Sequence, residues 1–556
     1  MQNTEQKRDI KLWIKDIGEY TVPAGTTILD LTARLKDRLP YLVTAAIVNY
    51  EAQGLDYVLQ EDDWVELLDL TCEYGLRVYR RTAVFLMLKA FNDLFPEKRM
   101  VVRHSLSNGL LCETVDEELG AEEVALLETR MQEIVEADLP INRLIMPRMK
   151  AAEIFAKQNQ PDKADMLDFV EHDEVWVYEL GGFFDYFFGF MLPRTGMVNL
   201  FKLLPYEGGL ILQTPEMDAP DRIKPYIEQK KLAYIFKESK RWAEMLETPH
   251  AAALNKLIAE GRIDEIIRIN EALHEKKVAL IAEEICKNKD VRLVLISGPS
   301  SSGKTTFAQR LYIQLRASGR RPVTISLDDY FVDRENTPRD EKGEYDFEAL
   351  EALKLDLFNE HLTRLIKGEE VEVPIFNFIT GRAEPRGKNV KVPPGEVIII
   401  EGIHALNDKL TFRIPQKQKF KIYVSALTQL NLDNTNRIPT TDSRLIRRMV
   451  RDSRTRGYSA RDTIRIWPSV RRGEEKNIFP FQESADVMFN TSLVYEFSVL
   501  RPFAEPLLRE ITPDCPEYHE ARRLLRFLSH FTPVAPDGVP FNSILREFIG
   551  GSPYKA

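Results

Sequence analysis

The stretch Gly298-Pro299-Ser300-Ser301-Ser302-Gly303-Lys304-Thr305 fits the pattern G-x-x-x-x-G-K-[ST] at every fixed position. Glycines let the backbone curl so that successive N–H groups point inward, and a helix starting at the last residues adds the positive end of its dipole. That is a cradle for a polyphosphate. Its contact positions are Gly298, Ser300, Ser301, Ser302, Gly303, Lys304, Thr305 and Thr306. Lys304 would reach the outer phosphates, and the Thr305 hydroxyl would ligate magnesium. Two more carboxylates stand at strand ends. Asp328 follows Ser326-Leu327, where a carboxylate can orient a hydroxyl and take its proton while Lys304 and magnesium hold the donor phosphate. Glu401 closes the apolar run Val397-Ile398-Ile399-Ile400 and would help hold the magnesium shell. His404 follows three residues on and reads as structural. Further along, Arg444, Arg447 or Arg448, Arg451 and Arg454 recur every three to four residues on one helix face, and Arg456 and Gly457 follow. Like charges so placed repel one another unless an anion sits among them, which points to a lid that closes on phosphate. The plainer alternatives are a ligand-free glycine turn, solvated turn aspartates and an ordinary strand-end glutamate.

The elements needed to position these groups are legible. Val291–Ser297 is a short apolar run with the look of a buried parallel strand. Thr306 to Ser318 has helical spacing, with Phe307, Leu311 and Leu315 on one face and Gly319 as a stop. Pro322–Leu327, Val397–Ile400, Phe420–Val424 and Asp486–Asn490 alternate with helical segments, as a parallel sheet requires.

The 556 residues suffice for about three domains. A net charge of −10 speaks against a general nucleic-acid binder. The charge is uneven: 442–476 holds eleven Lys/Arg against five Asp/Glu, a local +6 that leaves −16 elsewhere. No run approaches a membrane span, and the polar Met1–Asp9 argues against a secretory signal. Cys72, Cys112, Cys286 and Cys515 lie far apart, which suits a reducing cytoplasm and offers neither a zinc motif nor a disulfide framework.

The front of the chain reads as a compact α/β unit over about 10–70: two strands, a helix over Ile28–Leu39, then two strands. Its phrase "VPAGTTILDL" resembles the TGS domain, a β-grasp-like module of threonyl-tRNA synthetases and some GTPases. "FFDYFFGFMLPRTGMVNLFKLL" (Phe183–Leu204) resembles the second motif of the editing-type domain that follows TGS in those synthetases. By that resemblance the family's four zinc ligands fall on Arg81, Phe85, Phe187 and Met191. Those side chains cannot hold zinc, so no zinc and no deacylation are expected. A helical connector follows, and the end of the chain reads as a helix over Glu517–Phe531 with a Pro/Gly-rich tail.

"GPSSSGKTTF", "ISLDDYF", "EYDFEAL", "VPIFNF", "VIIIEGIHAL" and "RLIRRMVRDSRTRG" resemble, in order and spacing, the uridine kinase/phosphoribulokinase family. The resemblance implies an α/β fold: a P-loop kinase domain with a parallel sheet, preceded by a β-grasp-like TGS domain and an α+β synthetase-like domain. It implies the division 1–71 (TGS), 72–249 (editing-like), 250–288 (helical connector), 289–514 (kinase-like) and 515–556 (C-terminal helix and tail). By position, Asp328 is the implied catalytic base and Lys304 its partner. Thr305 and Glu401 are the implied magnesium positions, and Arg447, Arg448 and Arg456 the implied catalytic lid arginines. Asp346 is implied to grip ribose hydroxyls, with Tyr330, Phe376 and Arg382 also at the substrate. One departure stands out: Gly381 occupies the place of the family's base-recognising histidine. The implied reaction is ATP- and magnesium-dependent phosphorylation of a nucleoside 5′-hydroxyl, uridine or a related one. The open alternatives are a kinase for a sugar phosphate or pantothenate-like alcohol, and an ATP-switched RNA- or ribosome-associated regulator. The implied partners are ATP and a small substrate, with no membrane; homo-oligomerisation is left open.

Overall fold

The computed structural model describes residues 8–554 except 116, 171, 340–342, 344, 347, 378–379 and 429. Phe347 and Phe378, within two of the motifs above, therefore lie outside the described residues.

The first unit is a five-stranded sheet in the order Gly18–Pro23, Asp9–Ile14, Asp63–Asp69, Val43–Val48, Glu51–Gln53. Strict alternation in Asp9–Ile14 buries Ile10, Leu12 and Ile14 and leaves the intervening residues exposed. The helix Ile28–Arg34 starts at Thr27, whose side chain and that of Asp30 satisfy each other's backbone N–H groups. It ends sooner than the expected Leu39, and a 3₁₀ turn over Lys36–Arg38 follows. The 22-residue helix Glu73–Leu94 then joins this core to that of the next unit. That unit has a four-stranded sheet (Lys202–Tyr206, Gly209–Gln213, Gly109–Thr114, Met100–Leu106) and a three-stranded one (Asn142–Pro147, Glu174–Leu180, Phe183–Asp185).

The third unit is a parallel sheet in the order Val323–Ser326, Ile398–Glu401, Leu293–Ser297, Lys419–Ser425, Val487–Asn490. These are the five expected strands. Leu293–Ser297 is central and buried along its whole length, which is why its sequence reads apolar rather than alternating. The helix Lys304–Ala317 buries Phe307, Leu311 and Leu315 against it. The fold class is thus α/β. The expected helical connector packs into the core: Ile263–Lys287 contributes Ile266, Ile267, Val278, Ile281 and Ile285 to the cluster that contains Phe307 and Phe489. The helix Tyr518–Leu528 and the segment after it belong to that core too.

No described helix is long and apolar enough to cross a membrane, and the four cysteines are free thiols.

One polar junction ties the second unit to the third. Lys163, on the helix Pro161–Leu167, is fully buried beside Asp185 and Thr435, with Asp433 Oδ1 3.7 Å from its Nζ. Asn434 N–H donates to Asp162 Oδ2 at 2.8 Å, and Val102 N–H donates to the Asn434 carbonyl at 2.7 Å. Burial pushes the Asp185 carboxyl up to about 7, although Lys163 pulls it the other way. Removing the lysine would strand two buried carboxylates. We therefore expect Lys163→Met to lower unfolding free energy by about 3–5 kcal/mol, measured by denaturant titration of the full chain; a loss below about 1 kcal/mol would mean that this junction contributes little.

Candidate active site

The loop between Leu293–Ser297 and Lys304–Ala317 places the cradle at the C-terminal end of the central strand, where open parallel sheets bind ligands. Gly303 has φ +82°, a left-handed conformation that a side chain would strain, and it lets the loop turn into the helix. The Ser301 and Ser302 hydroxyls are buried without hydrogen-bond partners. Buried donors facing a cradle fit a phosphate group, which would supply the missing acceptors. Lys304 Nζ lies 3.1 Å from the Pro299 carbonyl. Burial holds its pKa below the ordinary lysine range, against the pull of Glu401, Glu547 and Glu474.

On the adjacent strand end, Glu401 accepts the Thr305 hydroxyl at 3.1 and 3.3 Å through its two oxygens. Burial raises its carboxyl above the usual range, and Lys304 opposes this. A hydroxyl and a carboxylate side by side are oxygen donors suited to magnesium. One strand further on, Asp328 is the second residue of the 3₁₀ turn Leu327–Tyr330, its N–H donating to Ser326 Oγ at 3.2 Å. The residue is open to solvent on one side, yet the surrounding walls remove enough water to raise its carboxyl. Asp329 adds to the rise, while Lys304 and Arg456 lower it. Asp328 is thus within electrostatic reach of both Lys304 and Arg456.

The helix Thr440–Thr455 carries the arginines and corrects the expectation made for them. Arg444 and Arg447 are almost completely buried. Arg444 forms a two-point pair with Glu474 and also donates to the Ser300 carbonyl at 3.2 Å. Arg447 pairs with Glu496 and donates to the Thr491 carbonyl at 2.9 Å. Arg447 is therefore a packing residue, not a mobile lid arginine, because its guanidinium is already neutralised by protein groups. Arg448 lies against the loop: its Nη1 donates to Ser300 Oγ at 2.8 Å. Arg448, Arg451 and Arg456 surround the buried Asp452 at 3.2, 2.9 and 3.6 Å. The repulsion inferred from spacing is thus relieved by carboxylates as well as by any bound anion.

The expected substrate residues divide. Asp346 is half-buried, and Lys476 Nζ lies 3.5 Å from its Oδ2. Glu348 sits beside it; burial, Glu474 and Asp346 push its carboxyl up to about 7, while Arg448 pulls it down. Phe376 is half-buried with its ring 5.7 Å from that of Phe331. Arg382 is exposed, and among the described residues its guanidinium reaches Glu335 at 3.4 Å. Tyr330 is a correction: it is fully buried, its hydroxyl 3.0 Å from His361 Nδ1 and its ring packed on Phe358, so it supports the turn rather than contacting a substrate. Gly381 has φ +70°, and a Cβ there would come within 3.0 Å of the Arg334 side chain. That backbone leaves no place for the histidine of the resembled family. His404 is buried.

At the positions that the resemblance equates with zinc ligands, Phe85 packs on Phe187 with ring centroids 5.6 Å apart, Met191 is buried, and Arg81 Nη1 donates to the Phe190 carbonyl at 2.6 Å. Among the described residues no group of three or more His, Cys, Asp or Glu could hold a metal.

Reasoning from motifs missed Glu348, Glu474, Glu496 and Glu547. For Glu474 and Glu496 the demand that buried arginines find carboxylates raises the question without naming positions; Glu348 and Glu547 carry no such signal.

Fold and site together define a kinase-like P-loop domain. Residues 293–495 match the model of the Phosphoribulokinase / Uridine kinase family. The N-terminal region matches threonyl-tRNA synthetases. Identity is 34% over 194 residues to the threonine–tRNA ligase of Symbiobacterium thermophilum, covering 34% of this chain and 30% of that protein. It is 30% over 201 residues to threonine–tRNA ligase 1 of Bacillus subtilis, covering 36% and 31%. The chain thus spans about a third of the length of the curated relatives it matches. Among solved structures, a possible uridine kinase from Bacillus stearothermophilus is 20% identical, with 39% of this chain and 98% of that one covered and a TM-score of 0.27.

Two outcomes follow. Arg447→Ala strands the buried Glu496 and should cost about 3–5 kcal/mol. Arg448→Ala leaves Asp452 with two other arginines and should cost about 1 kcal/mol or less. Denaturant titration of both variants separates a packing arginine from a site arginine. The second outcome concerns Glu348, whose folded pKa of about 7 exceeds its ordinary 4.5. Its favourable contribution is complete below 4.5 and is lost as pH rises through 7. Glu348→Gln cannot ionise, so its unfolding midpoint should gain on the wild type across that window and level off above it. A difference that does not change with pH would contradict the assignment.

Proposed function

We propose that this protein is an ATP- and magnesium-dependent kinase that phosphorylates the 5′-hydroxyl of a nucleoside, uridine or a related one, in the cytoplasm. The observation that carries the reading is the convergence of Lys304, the Thr305–Glu401 pair and Asp328 at the C-terminal ends of three adjacent parallel strands. Magnesium, held by Thr305 and Glu401, would neutralise charge on the donor phosphates. Asp328 orients the acceptor hydroxyl and takes its proton. Burial and Asp329 raise its pKa, which makes it a better base than an ordinary aspartate, while Lys304 and Arg456 oppose the rise. Lys304, Arg448 and Arg456 place positive charge where the transferred phosphoryl group passes. Asp346 accepts from hydroxyls of the acceptor. The match of residues 293–495 to a kinase family supports the reaction class.

Gly381 favours a second reading of the acceptor. Without the base-recognising histidine, another hydroxylated metabolite, a sugar phosphate or a pantothenate-like alcohol, fits the same chemistry. A coupled assay of ADP release over nucleosides, sugar phosphates and pantothenate separates the two.

The roles divide by variant. Asp328→Asn should cut turnover at least about 100-fold with ATP affinity within about threefold of wild type, because it removes the base and no phosphate contact. Lys304→Ala should weaken ATP binding and turnover together. Near-normal turnover by Asp328→Asn would remove it from the mechanism.

A further inference from the structure

The cradle is touched by a part of the chain that no motif announced. Glu547, on the short helix Arg546–Ile549, accepts from Thr306 twice: the hydroxyl at 2.7 Å and the backbone N–H at 3.3 Å, both to Oε2. Thr306 N–H is one of the unpaired donors of the first helical turn, and such donors are what a phosphate at a helix N-terminus uses. A carboxylate oxygen and a phosphate oxygen compete for them.

The contact is not a lone side chain swinging in from solvent. Ile544 packs on the loop itself: a Cβ on Gly303 would lie 2.5 Å from Ile544 Cγ2. Ile544, Leu545 and Phe548 are fully buried, and the Arg447 guanidinium lies 5.1 Å from the centre of the Phe548 ring. Arg454, on the arginine helix, holds the backbone from the other side, donating to the Glu547 carbonyl at 3.0 Å and the Phe548 carbonyl at 3.2 Å. The segment lies beyond the residues that match the kinase family, which end at 495, so it is an addition to the catalytic unit.

We infer that residues 536–551 form a built-in competitor of the nucleotide, with Glu547 on the phosphate donors of Thr306 and Ile544 against the glycine face of the loop. The inference rests on the reading of this loop as a nucleotide site. With the segment seated, the Thr306 donors are taken. Nucleotide binding requires Glu547 to leave them, and anything that draws the segment away raises apparent affinity by the fraction of molecules it frees. The arginine helix links the two states, because Arg454 holds the segment while Arg448 touches Ser300.

The test uses the full chain, a non-hydrolysable ATP analogue and magnesium. Glu547→Gln keeps the size of the side chain and removes its charge, and thermal melting checks its fold. We expect it to bind the analogue about tenfold more tightly than wild type. In wild-type protein, amide hydrogen exchange across 536–551 should accelerate when the analogue saturates the site, while the loop around 298–306 becomes protected. Equal or weaker binding by Glu547→Gln, or unchanged exchange in 536–551 with protection at the loop, would overturn the competitor and leave the nucleotide site standing. Failure of both proteins to bind the analogue, with fold intact, would overturn the competitor and the nucleotide reading together.

Discussion

The geometry of the candidate site depends on how a helix dense in arginine is neutralised. Arg444 and Arg447 cannot be buried bare, since an isolated charge away from water is too costly to persist. Each has a carboxylate from another element: Glu474 from the next helix and Glu496 from the start of the helix Glu496–Arg509. Such pairs tolerate little displacement, because either partner left alone would be unsatisfied. They hold the arginine helix at a fixed depth beside the glycine-rich loop. From there Arg448 reaches Ser300, and Asp452 gathers Arg448, Arg451 and Arg456 on the open side. The buried pairs act as the anchor, and the outer arginines share Asp452 beside the loop.

The anchored helix is also tied to the front half. The chain entering it passes through Asp433, Asn434 and Asn436, all held by the synthetase-like unit through Lys163, Asp162, Val102 and the Tyr186 carbonyl. In that unit Phe85, Phe187 and Met191 lie in one core, while Leu106, Leu111 and Ile211 from its four-stranded sheet share a second core with Tyr423, Leu427 and Met488 of the parallel-sheet unit. A polar junction of this kind favours one docking geometry, because each buried group must meet its partner. The front half therefore positions the residues that lead into the arginine helix, and Glu547 of the C-terminal segment meets the glycine-rich loop at Thr306.

The comparisons and the geometry speak to different spans. The kinase family covers 293–495, where the parallel sheet and its strand-end residues lie. The core around that sheet is wider: it takes in the helix Ile263–Lys287 before it and the residues around Phe548 after it. The unit that packs as one body is therefore larger than the unit that matches as one family.

Local signals determined much of this by themselves. The strands of the parallel sheet were legible because most are short buried apolar runs, the edge strand Val323–Ser326 burying only Ile325, and the glycine-rich loop because only a few residue types can shape it. Lys304, Thr305, Asp328 and Glu401 were legible because each stands at a fixed offset from one of those runs. Spacing placed the arginines on one face, and it could say nothing of what faces them. Whether a guanidinium meets solvent, phosphate or a carboxylate depends on residues thirty to fifty positions away, and only the tertiary structure set Arg447 against Glu496 and left Arg448 on the loop. Tyr330 went the same way, since its neighbour His361 belongs to a different helix. Glu547 is the extreme case. It lies 241 positions from Thr306 in a segment with no motif, and its meeting with the loop follows from the packing of Ile544, Leu545 and Phe548, a non-directional force that leaves no pattern in the sequence.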